Sequence, residues 1–118
     1  MEFSTAEILF EGRPLRAALV ELGNAVIALF WLGEEPKLGT LTISLPGGVS
    51  STLLGDRDRM LGQMIGERLA LLYGKTVLVS INLPPALGAS AGRTLLELAG
   101  ELVRGVERSE DLPRGAGL

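Results

Sequence analysis

The chain has 118 residues, 47% of them hydrophobic, and carries 11 basic against 14 acidic side chains for a net charge of -3; this is material for one domain around a single core. It lacks the positive field that nucleic acid or an anionic membrane demands of a partner, so neither is expected to bind. The absence of both cysteine and histidine removes disulfides, thiol nucleophiles, imidazole bases and the usual zinc ligands together, and no metal or cofactor is expected.

The opening residues MEFSTAEILFEGR show neither a basic leader nor an apolar signal core, which points to a cytoplasmic protein. Ala6 to Phe10 alternates as a first strand and is broken by Gly12-Arg13-Pro14. Leu15 to Leu22 and Ala25 to Leu32 follow as two strands, joined by the hairpin turn Gly23-Asn24. The apolar stretch Ala17 to Leu32 is better explained by these strands than by a membrane span, since it is short and holds Glu21 and the turn in its middle. After the polar loop Gly33 to Gly39, Thr40 to Leu45 alternates Leu41, Ile43 and Leu45 against Thr40, Thr42 and Ser44 as a fourth strand. Pro46-Gly47-Gly48 interrupts, and Ser50 to Leu54 is a short fifth strand.

From Asp56 the period changes. Leu61, Met64, Ile65, Leu69 and Leu72 recur at helical spacing up to Gly74, which predicts a first helix over Asp56 to Tyr73 with Asp56 capping its start. Thr76 to Leu83 is a β-branched apolar run that predicts a buried sixth strand, closed by Pro84-Pro85. Leu95, Leu98, Ala99, Leu102 and Val106 mark a second helix with Ser90 as its N-cap. The order β-β-β-β-β-α-β-α predicts an α+β domain over residues 1–108: an antiparallel β-meander of about six strands with two helices on one face, followed by a flexible tail over 109–118.

Two helices cover only one sheet face, yet Ala25 to Leu32 is apolar at both alternating phases. Leaving such a face in water costs about 25 cal/mol per Å² of apolar area, so a dimer is expected, with Val26, Ile27, Leu29, Phe30 and Trp31 as its interface candidates. Gly62, Gly66 and Ala70 form a smooth stripe on the first helix, where each glycine costs about 1 kcal/mol against alanine. The stripe predicts close packing on the sheet or the second helix, with an interface as the alternative.

No catalytic constellation emerges. Gly74-Lys75-Thr76 lacks the upstream glycine and the following helix of a phosphate-binding loop, leaving Gly74 as a helix C-cap and Lys75 as a solvated residue at a strand edge. Asp56 and Asp58 diverge on a helix and are neutralised by Arg57 and Arg59, so capping accounts for them better than metal or acid-base chemistry. Pro46-Gly47-Gly48 lacks the strand-glycine-helix order of a dinucleotide site. Ser80 and Asn82 have no base to activate them, and the chain is expected not to be an enzyme.

Three runs carry a resemblance: Gly39-Thr40-Leu41 opening the fourth strand, Ser51-Thr52-Leu53-Leu54-Gly55-Asp56 before the first helix, and Val77-Leu78-Val79-Ser80-Ile81-Asn82-Leu83 between the helices. In their order the chain resembles the small proteasome assembly chaperones of the third and fourth subunit types and their archaeal relatives, over roughly Ala6 to Val103. The resemblance implies a non-enzymatic chaperone that dimerises, as a homodimer or with a related chain, and binds proteasome α-subunits to assist assembly of their ring. The ending Arg114-Gly115-Ala116-Gly117-Leu118 lacks the hydrophobic-tyrosine-any-residue signature of other proteasome-binding factors, so docking through a folded surface is implied. Loops at the sheet ends make Arg57, Asp58, Arg59, Pro84 and Pro85 the partner-binding candidates. A general dimerisation or adaptor module with another protein client is the alternative.

Overall fold

Apolar and alternating runs separated by turn residues carry the first half of the chain into five strands: β1 (Glu2–Phe10), β2 (Arg13–Glu21), β3 (Ala25–Leu32), β4 (Thr40–Ser44) and β5 (Ser50–Leu54). Helix α1 (Arg59–Tyr73), strand β6 (Thr76–Asn82) and helix α2 (Gly88–Asp111) complete the α+β domain. The computed structural model describes residues 2–85 and 87–111, and the side chains of all of these except 88, 89 and 108–111. Part of the expected tail, up to Asp111, is helical; residues 112–118 lie outside the described residues.

The hairpins form where turn chemistry places them. Glu11 and Gly12 both take positive φ, 52° and 78°, the backbone of a two-residue turn whose twist matches the strands it joins. The β2–β3 turn is closed by the Leu22 N–H donating to the Ala25 carbonyl at 2.7 Å. β1 extends four residues further toward the N-terminus than its apolar alternation predicts, because Glu2 to Thr5 pair in register with Ala18 to Glu21.

The sheet is not the antiparallel meander expected. Its order is β1-β2-β3-β6-β4-β5, with β6 inserted between β3 and β4 and parallel to β3, while every other pair is antiparallel. The physical reason lies in β6 itself: Val77, Val79 and Ile81 are buried under the helices and Ser80 on the opposite side is buried as well, and the sheet centre is where such a β-branched strand is shielded along both edges.

Both helices lie on one face. α1 packs on β4 and β6, α2 on β1 and β2, and between them they bury a continuous core that includes Leu15, Leu19, Phe30, Val79, Ile65 and Leu98. β4 turns an unexpected side inward: Thr40, Thr42 and Ser44 are buried, while Leu41 and Ile43 point the other way. The glycine stripe explains this. A Cβ added to Gly62 would meet Thr42 and one added to Gly66 would meet Ser44, so α1 sits too close to β4 for larger side chains beneath it.

The helix ends differ from the sequence reading. α1 begins at Arg59 rather than Asp56; Asp58 holds the N-cap position at φ 59° without a side-chain cap bond, and its carbonyl accepts from the Gly62 N–H at 3.0 Å. Gly74 is the C-cap expected, in the left-handed region at φ 63°, with its N–H donating to the Ala70 carbonyl at 2.8 Å. α2 starts at Gly88, so Ser90 lies inside the first turn instead of capping it, and its hydroxyl donates to the Leu87 carbonyl at 3.2 Å.

Candidate functional site

Strand registers define the sheet face that carries no helix. One row crosses five strands as Phe3, Val20, Ile27, Leu78 and Ile43, and the next runs through Thr5, Ala18, Leu29, Ser80 and Leu41 to Leu54. All of these except Ser80 are half-buried or exposed. The face is therefore a broad apolar surface with little polar relief at its centre, the feature that distinguishes interaction surfaces from scattered exposed apolar residues.

The strand alternation divides the five interface candidates of β3. Ile27 and Leu29 stand on this open face, whereas Val26 and Phe30 point to the helices and are fully buried. Val26 and Phe30 are corrected to core positions: they have no surface to offer a partner. Trp31 lies on the open side, beside Arg16 and Asn82 in the register, but is only 8% exposed, and its indole N–H is buried without an acceptor.

One end of the open face is polar and held. Arg16 bonds Glu7 at 2.8 Å and Glu34 at 3.4 Å. The loop from Gly33 to Gly39 is pinned there by the Gly39 N–H donating to Ser80 Oγ at 2.9 Å and by Asn82 Nδ2 donating to the Leu38 carbonyl at 3.1 Å. Position 39 admits only glycine, because a Cβ would collide with the carbonyl group of Ile81. At the opposite end Lys75 is not a solvated edge residue. Its Nζ donates to Glu21 at 2.6 Å and to the Leu22 carbonyl at 2.8 Å, tying the start of β6 to the end of β2.

The other candidates fall into two loops that the topology brings to the same end of the sheet. β5 and β6 run in the same direction, since each is antiparallel to β4, so the β5–α1 turn and the β6–α2 loop both follow C-terminal strand ends. Arg57 is exposed and Asp58 half-buried; Arg59 donates to Thr52 at 3.4 Å. Pro85 is exposed, and the Pro84 carbonyl accepts from the Leu87 N–H at 3.1 Å. Among the described residues no group of three or more acidic side chains is placed to hold a metal ion, and no helix is long and apolar enough to cross a membrane. What the sequence reading missed is the outer side of α1, where Met60, Met64, Leu71 and Leu72 are exposed. Its signal was present in the helical pattern, which counted Met64 and Leu72 as inward.

No family model and no curated protein matches this sequence. Among solved structures, a chain in the crystal structure of a novel chaperone complex for yeast 20S proteasome assembly has a similar fold, with a TM-score of 0.66 over 88% of this chain and 97% of the other. The two sequences are 12% identical, so the likeness is one of fold.

Proposed function

We propose that this protein is a non-enzymatic chaperone of the proteasome assembly family that dimerises through its open sheet face and binds proteasome α-subunits to assist formation of their ring. The observation that carries the reading is the uncovered apolar row Phe3-Val20-Ile27-Leu78-Ile43 on a fold similar to that of a proteasome assembly chaperone. The three sequence runs that carry the resemblance support it further, since each has a structural part in this fold. Gly39 and Thr40 seat β4 against β6, Gly55 turns at φ 88° against Thr40, and Val77 to Asn82 fill the sheet centre.

Packing two copies face to face removes apolar area from water without any change in the core, and the contacts are self-complementary, as a two-fold interface requires. A related second chain would satisfy the same face. The absence of histidine and cysteine agrees with a scaffold whose work is binding. The test is size-exclusion chromatography of the purified protein with proteasome α-subunits from the same organism. A co-eluting complex is expected, and separate elution at micromolar concentrations of both proteins would contradict the proposal.

A further inference from the structure

The open sheet face is not level, and its relief fixes how a second copy can lie on it. The segment from Gly33 to Gly39 leads from β3 to β4 and must cross the end of β6, which stands between them. It crosses on the open side, because the side chains that hold it stand on that face: Arg16 bonds Glu34, Ser80 accepts from the Gly39 N–H, and Asn82 donates to the Leu38 carbonyl. Ser80 and Trp31, both on that face, are buried at this end. The segment is thus a wall along one end of the apolar surface. It carries Leu38, which is 61% exposed beside the exposed residues Glu34, Glu35, Pro36 and Lys37.

The opposite end is low. The row beyond Ile27 consists of the small side chains of Ala25 and Thr76, neighbours in the β3–β6 register, with Leu45 beyond Ile43 at 42% exposure. Between this end and the wall lie two rows, one starting with the bulky pair Phe3 and Val20 and one with the slimmer pair Thr5 and Ala18. In aligned packing of two sheets, the two-fold axis between them runs either along the strands or across them. Along the strands it sets wall against wall and holds the faces apart. Across the strands, between the two rows, it sets each wall over the low end of the other copy. Phe3 and Val20 of each copy then meet Thr5 and Ala18 of the other, bulky on slim.

The contact is large enough for a stable pair. Four rows on five strands cover roughly 24 Å by 27 Å, about 650 Å² from each copy, at about 4.8 Å between strands and about 6.8 Å between same-face residues; each partner in a stable complex buries about 800 Å². Both halves of the fit, the wall and the low end, belong to one chain, which makes a second copy of this chain the occupant.

We propose that two copies pack with their strands antiparallel about an axis across the strands, and that the Gly33–Gly39 wall of each caps the far end of the other, with Leu38 seated over Thr76 between Ala25 and Leu45. This rests on the reading above, in which the open face joins two chains, and it names the second chain and its orientation.

The chain has no cysteine, so introduced thiols report on this arrangement alone. The test treats Leu38→Cys/Thr76→Cys and each single variant with a short bismaleimide and resolves the products by denaturing electrophoresis. Leu38 and Thr76 of one copy lie at opposite ends of the face, too far apart for the reagent to join. A covalent dimer from the double variant and none from either single variant is expected. Sedimentation of Leu38→Asp, an exposed position whose change leaves the core untouched, is expected to show at least tenfold weaker dimerisation. Crosslinking of Leu38→Cys alone would place wall beside wall and overturn the arrangement. So would an uncrosslinked double variant whose mass by light scattering is twice that of the chain, which leaves the face dimer standing. Undiminished dimerisation of Leu38→Asp would overturn the seat of Leu38. A monomeric wild-type protein would overturn both the arrangement and the dimer.

Discussion

Gly62 of α1 lies directly over Thr42 of β4, so closely that a Cβ on the glycine would come 2.6 Å from Thr42 Oγ1 and 3.4 Å from its Cβ. Helix propensity alone favours alanine at such a position by about 1 kcal/mol, whereas forcing an extra methyl into a packed core costs about 1–3 kcal/mol. Gly62→Ala is therefore expected to lower stability, by about 1 kcal/mol in urea unfolding. Adding Thr42→Ala removes the clashing atom, and the pair is expected to couple by about 0.5 kcal/mol or more. Strict additivity would mean that the two residues do not touch.

Thr42 supplies a second expectation. Its hydroxyl is fully buried and has no hydrogen-bond partner, which leaves a polar group desolvated without compensation. Thr42→Val keeps the branched shape and deletes that group. A gain of about 1 kcal/mol is expected from thermal or chemical unfolding, and a comparable loss would reveal an acceptor for the hydroxyl.

The Lys75–Glu21 pair joins segments 54 residues apart, with side chains only 24% and 15% exposed, and Lys75 also satisfies the Leu22 carbonyl. Lys75→Met keeps the alkyl stem and removes the charge, leaving a largely sheltered carboxylate and carbonyl unpaired. A loss of about 1–2 kcal/mol is expected at neutral pH. Glu21→Gln, which retains an acceptor, is expected to cost less, and equal costs would show that the charge itself carries the interaction.

On the open face, Ile27 sits at the middle of the five-strand row, between Val20 and Leu78. In Ile27→Lys the alkyl stem still covers its neighbours while the ammonium enters the proposed interface. Light scattering is expected to give twice the chain mass of 12.5 kDa for the wild-type protein and 12.5 kDa for the variant. A wild-type monomer at micromolar concentration would remove the dimer from the account.

Much of this architecture was legible in the residues, and the exceptions share a cause. Strands and helices announce themselves by local pattern and by the turn residues between them, so Ala25–Leu32 and Ser50–Leu54 have the bounds read from the sequence and Gly74 ends α1 as its freedom at positive φ allows. Strand order is decided by which pairs bury the most surface, a long-range property. The placement of β6 between β3 and β4 was hinted at only by its β-branched apolar run, Val77 to Ile81. The facing of β4 ran against its polarity because the glycine stripe of α1, twenty residues away in the chain, sets the space above Thr42 and Ser44. For the same reason Val26 and Phe30 were indistinguishable from Ile27 and Leu29 until the helices chose a side. The outer stripe of α1 was hidden by its own pattern, since leucine and methionine at helical spacing read as core wherever the partner element is unknown.

The proposed assistance to α-ring assembly is tested by the time course of ring formation by α-subunits of the same organism, followed by native electrophoresis with and without an equimolar amount of this protein. Wild-type protein is expected to raise the rate or yield of ring-sized particles, and Ile27→Lys to do so less. Identical time courses with and without the wild-type protein would contradict it.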